Sequence, residues 1–129
     1  MNILKTHIDR IKNFTSSDQV SDYLMQLGNE VQVDSSIRIR ENFVRGCQSF
    51  VWVDCEKSNN TVKFKFSGSG KLSLGVCKVL SDALNDKTVE EITRTTFSEF
   101  HEFSRSLPIN RQRGMQAILN RMHKIAKVS

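Results

Sequence analysis

The sequence contains few of the residues that mark secreted, fibrous or disordered proteins. It has one proline, six glycines and three cysteines among 129 residues. The odd number of cysteines and the lack of a C-x-x-C pair argue against a disulfide framework, so we expect reduced thiols. The composition, 38% hydrophobic and 26% charged, is that of a folded domain large enough to bury one core.

Long apolar runs and blocks of like charge are also missing. No run approaches the roughly 18 residues that a membrane-spanning helix requires. The first residues, MNILKTHIDRIKNF, mix both charge signs among apolar positions and do not resemble a secretory signal, so we expect a cytoplasmic protein without a membrane partner. The net charge is +5, but the 19 lysines and arginines are dispersed. A solvated basic surface and an acidic binding partner are both compatible with this charge.

Hydrophobic periodicity predicts four main helices. Apolar residues at helical spacing indicate a short helix over residues 8–14 and a second helix from residue 20, with Gly28 as its stop signal. A polar loop is predicted for residues 31–40. Helical spacing returns over residues 72–85 and again from about residue 110 to residue 127.

The middle of the chain favours β-strands. Residues 49–55 are rich in Val, Phe and Trp, and residues 62–66 alternate apolar residues with lysine, so two antiparallel strands joined at Asn59-Asn60 are predicted. Trp52 is expected to be at least partly buried. Further along, the TVEEI segment has the form of a capping box at the start of a short helix. Three phenylalanines at helical spacing are expected to anchor the core: Phe97, Phe100 and Phe103.

The three cysteines lie in different sequence surroundings. Cys47, between a glycine and a glutamine just before a predicted strand, is expected on a loop with an accessible sulfur. Cys55 at a strand end and Cys77 in an amphipathic helix are expected to be structural. From the residues alone, a functional and a structural role both remain open for Cys47. A functional thiol must ionise, and Arg45 either lowers its pKa or points into solvent.

The run NFVRGCQSFVW, residues 42–52, resembles the signature of SufE-type sulfur acceptors. The similarity extends to the helix before this run, to the TVEEI segment and to a C-terminal L-x-x-x-R-x-x-G-M pattern that contains Arg111. It covers the chain from about residue 17 to residue 129. The matching positions of the central run are Asn42, Val44, Gly46, Cys47, Gln48, Ser49, Val51 and Trp52.

This resemblance implies a single domain over residues 1–129 with an α+β, SufE/NifU-like fold: a small antiparallel sheet flanked by helices, with Cys47 on a loop at one end. It implies that Cys47 accepts persulfide sulfur from a cysteine desulfurase and passes it on, for example to an iron–sulfur scaffold. The protein would be a relay and activator, not an enzyme, and would act as a monomer or homodimer. It would carry no cofactor, because pyridoxal phosphate belongs to the desulfurase. Arg111, Arg45 and Gln48 are the expected partner contacts.

The chain departs from the family pattern at three positions. The family often has an acidic residue near Ser69, usually has proline in place of Ile109, and often has Asn or Gln in place of Arg113. These departures bear on the choice and orientation of the partner.

Three other functions compete with sulfur transfer. A zinc site from the cysteines and one of His7, His101 or His123 would lack the closely spaced ligand pairs of structural zinc. A cysteine hydrolase needs a histidine base, but these histidines lie in predicted helices without a motif and are expected on the surface. A basic nucleic-acid-binding module would bind in a strongly salt-dependent way and would have no reason to contain GCQS-x-VW.

Overall fold

The computed structural model describes residues 3–128. Within that range the chain forms six α-helices and a three-stranded antiparallel sheet, which confirms the predicted α+β class. In chain order the elements are α1 (Ile3–Ile11), α2 (Ser17–Glu30), β1 (Val51–Ser58), β2 (Thr61–Gly68), α3 (Lys71–Leu84), β3 (Lys87–Thr88), α4 (Val89–Arg94), α5 (His101–Ser104) and α6 (Ile109–Lys127). Short 3-10 turns span Ser35–Ile37, Arg40–Asn42 and Phe97–Phe100.

The β-hairpin is confirmed. β1 begins two residues later and ends three residues later than predicted, and β2 is longer at both ends. β1 pairs with β2 from Val51 opposite Gly68 to Ser58 opposite Thr61. Asn59 and Asn60 form the turn with φ angles of 51° and 67°. Positive φ at both positions suits the right-handed twist of a two-residue hairpin, and asparagine tolerates it well. β3 is only two residues long, which is too short to give a periodic signal in the sequence.

α2 and α3 pack with their backbones in close contact through two glycines. A Cβ at Gly28 would lie 2.1 Å from the Lys71 carbonyl oxygen, and one at Gly75 would lie 2.1 Å from the Leu24 carbonyl oxygen. α2 ends at Glu30, close to the end predicted near Gly28, but Gly28 is not the stop signal. This glycine serves interhelical contact and not a left-handed C-cap.

α6 and α3 cover the inner face of the hairpin. α6 packs against both β1 and α3, and its inward side chains are buried, as its periodicity predicts: Met115, Ile118, Leu119, Met122 and Ile125. Phe100 and Phe103 are also buried, whereas Phe97 is only partly buried against the core. No helix within residues 3–128 is long and apolar enough to cross a membrane.

A buried hydrogen-bonded chain joins α1, α2 and α3. His7 is 5% exposed; its Nδ1 lies 2.5 Å from the Tyr23 hydroxyl and its Nε2 lies 2.9 Å from an Asp82 carboxylate oxygen. The expectation that the histidines are surface residues is therefore wrong for His7. The reason is that the imidazole has a partner at each nitrogen, so its burial leaves no polar atom unsatisfied.

Candidate functional site

Cys47 lies on a closed loop between residue 44 and β1. The Val44 amide donates to the Val51 carbonyl at 2.8 Å, which ties the two ends of the loop together. Gly46 has a φ of 94°, a left-handed conformation that L side chains rarely adopt. The glycine of the GCQS run therefore allows the turn that directs the next residue toward α6.

The sulfur of Cys47 faces the first turns of α6. Its Sγ donates to the Gly114 carbonyl oxygen at 3.6 Å, and a Cβ on Gly114 would stand 3.5 Å from Sγ. The thiol borders a cavity of about 10 Å³ lined also by Ser73, Val76, Met115 and Ile118. That volume is close to the space of one water-sized sphere. The sulfur is thus partly sheltered in this conformation, although the loop itself is at the surface.

Burial raises the pKa of the Cys47 thiol to about 11, and the positive charge of Arg111 lowers it in part. Arg111 is positioned by Ser73, which is 5% exposed and accepts a hydrogen bond from Nη1 at 2.9 Å. Of the two alternatives for Arg45, the structure supports exposure to solvent, and the cation that acts on Cys47 is Arg111, on α6. At neutral pH the sheltered thiol is almost entirely protonated.

The remaining predicted contact residue, Gln48, is exposed on the same loop as Arg45. The positions that depart from the family pattern are also exposed: Ser69 follows β2, Ile109 is the first residue of α6, and Arg113 lies in its second turn. The departures therefore change the surface and leave the contacts of the buried core in place.

The other two thiols lie in the interior or at its edge. Cys77 is fully buried, with its pKa raised well above the usual value by desolvation. Cys55 is partly buried and its Sγ donates to the Ile125 carbonyl at 3.8 Å; burial raises its pKa as well. Across residues 3–128, no group of three or more histidine, cysteine or acidic side chains is arranged to hold a metal ion.

Comparison with known proteins identifies the family. Residues 5–126 match the model of the SufE family, described as an Fe-S metabolism associated domain. The chain belongs to the SufE family. The matched region also includes most of α1, which lies before the residues that carry the resemblance in the sequence.

A curated relative agrees with this assignment. The chain is 32% identical over 102 residues to SufE-like protein 1, chloroplastic/mitochondrial, from Arabidopsis thaliana. The aligned region covers 76% of the chain but only 27% of the relative, so the chain spans about a quarter of that protein's length. The family description associates the chain with iron–sulfur metabolism.

The fold is also found among solved structures. The solution structure of a hypothetical protein from Thermus thermophilus superposes with a TM-score of 0.76 at 16% sequence identity. The superposition covers 96% of this chain and 93% of the other. At 16% sequence identity, the similarity shows that the two proteins share a fold.

Proposed function

We propose that this protein accepts persulfide sulfur from a cysteine desulfurase on Cys47 and passes it to an acceptor in iron–sulfur cluster assembly. The observation that carries the proposal is the position of Cys47: it lies on a loop, whereas Cys55 lies in β1 and Cys77 in α3. It is also the cysteine of the GCQS run in a chain of the SufE family.

The transfer is a thiol exchange in which the sulfur atom moves without net oxidation. The Cys47 thiolate attacks the outer sulfur of the desulfurase persulfide, and a new S–S bond forms on Cys47. The S–S bond on the desulfurase breaks, and its cysteine leaves as a thiolate. The proton lost from Cys47 passes to solvent or to a base of the partner. The protein thus acts as a relay and activator, and pyridoxal phosphate belongs to the partner.

The sheltered sulfur favours transfer inside a complex over reaction in solution. A thiol with a pKa of about 11 reacts slowly with stray electrophiles, because the thiolate is the nucleophile. Arg111, held by Ser73, lowers the pKa of the Cys47 thiol by its charge. The same charge would stabilise the thiolate and the persulfide anion that form beside it.

The test is mass spectrometry of the protein after incubation with a desulfurase and cysteine. We expect one added sulfur atom on Cys47, none on Cys47→Ser, and wild-type loading on Cys55→Ser. Cys55→Ser is the matched control because Cys55 is also a partly buried thiol. Loading that persists in Cys47→Ser, or that is lost in a folded Cys55→Ser protein, would contradict the proposal.

Arg111 provides a second, independent comparison. We expect Arg111→Ala to slow loading of Cys47, because the charge that favours the thiolate is removed. Arg113→Ala is the control, since Arg113 is exposed on the same helix. Equal, small effects of both substitutions would mean that general positive charge, and not the placed guanidinium, assists the reaction.

A further inference from the structure

Three aromatic rings form a cluster at the surface beside the Cys47 loop. The ring centroids of Phe43 and Trp52 are 5.6 Å apart, those of Phe43 and Phe50 are 6.0 Å apart, and those of Phe50 and Trp52 are 6.3 Å apart. The Arg38 guanidinium lies over the indole, 5.1 Å from its centroid. We call these four residues the aromatic patch.

The aromatic patch lies on the outer side of β1. Val51 and Val53 are fully buried, so the alternation of the strand places Trp52 on the opposite side. Phe50 is 62% exposed, while Phe43 and Trp52 are half-buried. Phe50 is thus the ring of the cluster that is largely exposed, and exposed aromatic groups clustered on soluble proteins commonly mark interaction sites.

The patch is continuous with the Cys47 loop on both sides. Phe43 precedes Val44, whose amide donates to Val51, and Phe50 is the last residue before β1. The Phe50 backbone is fixed from the other side, because its carbonyl accepts a hydrogen bond from the Ser69 amide at 3.3 Å. Phe43 and Phe50 therefore flank the Cys47 loop at its two ends.

The sequence segment that carries the patch is positively charged. Residues 38–52 contain three arginines and one acidic residue, and Arg38, Arg40 and Arg45 are all exposed. The chain carries a net charge of +5, so two such faces would repel each other. An acidic, partly apolar surface is complementary to the patch, whereas a second copy of the chain is not.

We infer that the aromatic patch is the hydrophobic anchor on which the desulfurase docks, with Phe50 as the ring that becomes buried and acidic groups of the partner facing the arginines. The inference rests on the proposed function. In this inference the aromatic patch contributes affinity for the desulfurase, and Cys47 carries out the sulfur transfer.

The test measures the affinity of a desulfurase from the same source for single-residue variants by calorimetry. Phe50→Ser should weaken binding by roughly tenfold or more, as truncation of a central aromatic anchor does. Phe50→Tyr should restore most of the affinity. Met25→Ser is the control, because Met25 is 45% exposed on α2, away from the loop in sequence. Equal affinity of Phe50→Ser, Met25→Ser and wild type would overturn the inference.

Two further measurements distinguish desulfurase docking on the aromatic patch from sulfur transfer to Cys47. Sulfur-loading rates against desulfurase concentration should show a raised KM and an unchanged kcat for Phe50→Ser, since the chemistry at Cys47 is intact. Cys47→Ser should bind the desulfurase but accept no sulfur. If the desulfurase binds through Phe50 but Cys47 is never loaded, the docking inference is supported and the proposed function is contradicted. If Cys47 is loaded and neither binding nor loading depends on Phe50, the proposed function is supported and the docking inference is contradicted.

Aromatic rings among arginines also occur on surfaces that bind single-stranded nucleic acids. Titration with a fluorescent oligouridylate distinguishes this case. We expect no Phe50-dependent binding at physiological salt. Tight binding of the oligouridylate that Phe50→Ser abolishes, together with unchanged desulfurase affinity, would overturn the inference.

Discussion

The reactivity of Cys47 in the free protein is expected to be strongly suppressed at neutral pH. With a pKa of about 11, on the order of one thiol in ten thousand is ionised at pH 7. A free cysteine with a pKa near 8.5 is roughly 3% ionised, about three hundredfold more. The more basic thiolate is intrinsically the better nucleophile by about tenfold, from a Brønsted coefficient of roughly 0.4–0.5. The net expectation is alkylation about thirtyfold slower than that of free cysteine.

The assay is the rate of iodoacetamide labelling of Cys47 as a function of pH, followed by mass spectrometry in a Cys55→Ser background. The rate should rise along a curve whose midpoint lies near pH 11. Because the pKa of the thiol is raised, the thiol stays protonated and unreactive below the midpoint and becomes reactive above it. Arg111→Gln should move the midpoint upward, because it removes the charge that lowers the pKa, while Arg113→Gln should leave it unchanged. A midpoint at or below 8.5, or labelling at pH 7 as fast as free cysteine, would refute the assigned burial of the sulfur.

Three further predictions concern the stability of the fold. Gly75→Ala should destabilise the fold by about 3 kcal/mol or more in denaturant titration, because its Cβ would meet backbone atoms of α2. Gly114→Ala is the control: its Cβ would make only an ordinary contact with the Cys47 sulfur, so it should be neutral or stabilise by up to about 1 kcal/mol. Tyr23→Phe should cost about 1–3 kcal/mol by leaving the buried His7 Nδ1 without its partner, and a Tm equal to that of wild type would show that water replaces the hydroxyl. Thr88→Ala removes the capping box at α4 and should cost about 1 kcal/mol; an unchanged midpoint in the same titration would mean that α4 is held by packing alone.

The fold could be predicted largely from local patterns. The hairpin follows from the alternation of residues 62–66 and from the asparagine pair, and both features act over neighbouring residues. The TVEEI segment correctly predicted a capped helix, because a capping box is closed within four residues. The role of Gly28 could not be predicted locally, because glycine is common both at helix ends and where two helices cross. Its role at a crossing depends on α3, which lies more than forty residues further along the chain.

Some features of the candidate site could likewise be predicted from local sequence, and others could not. Local sequence was enough to predict that Cys47 lies on a loop before a strand and that the chain has the SufE pattern, because both are properties of one short run. The packing of distant elements determines which cation acts on the thiol, how far the sulfur is sheltered, and that Phe43, Phe50 and Trp52 meet at the surface. Burial, charge proximity and ring contacts depend on distances between elements, which no short run of residues contains. Arg111 lies 64 positions from Cys47 in the sequence yet acts on its thiol, because α6 packs against β1.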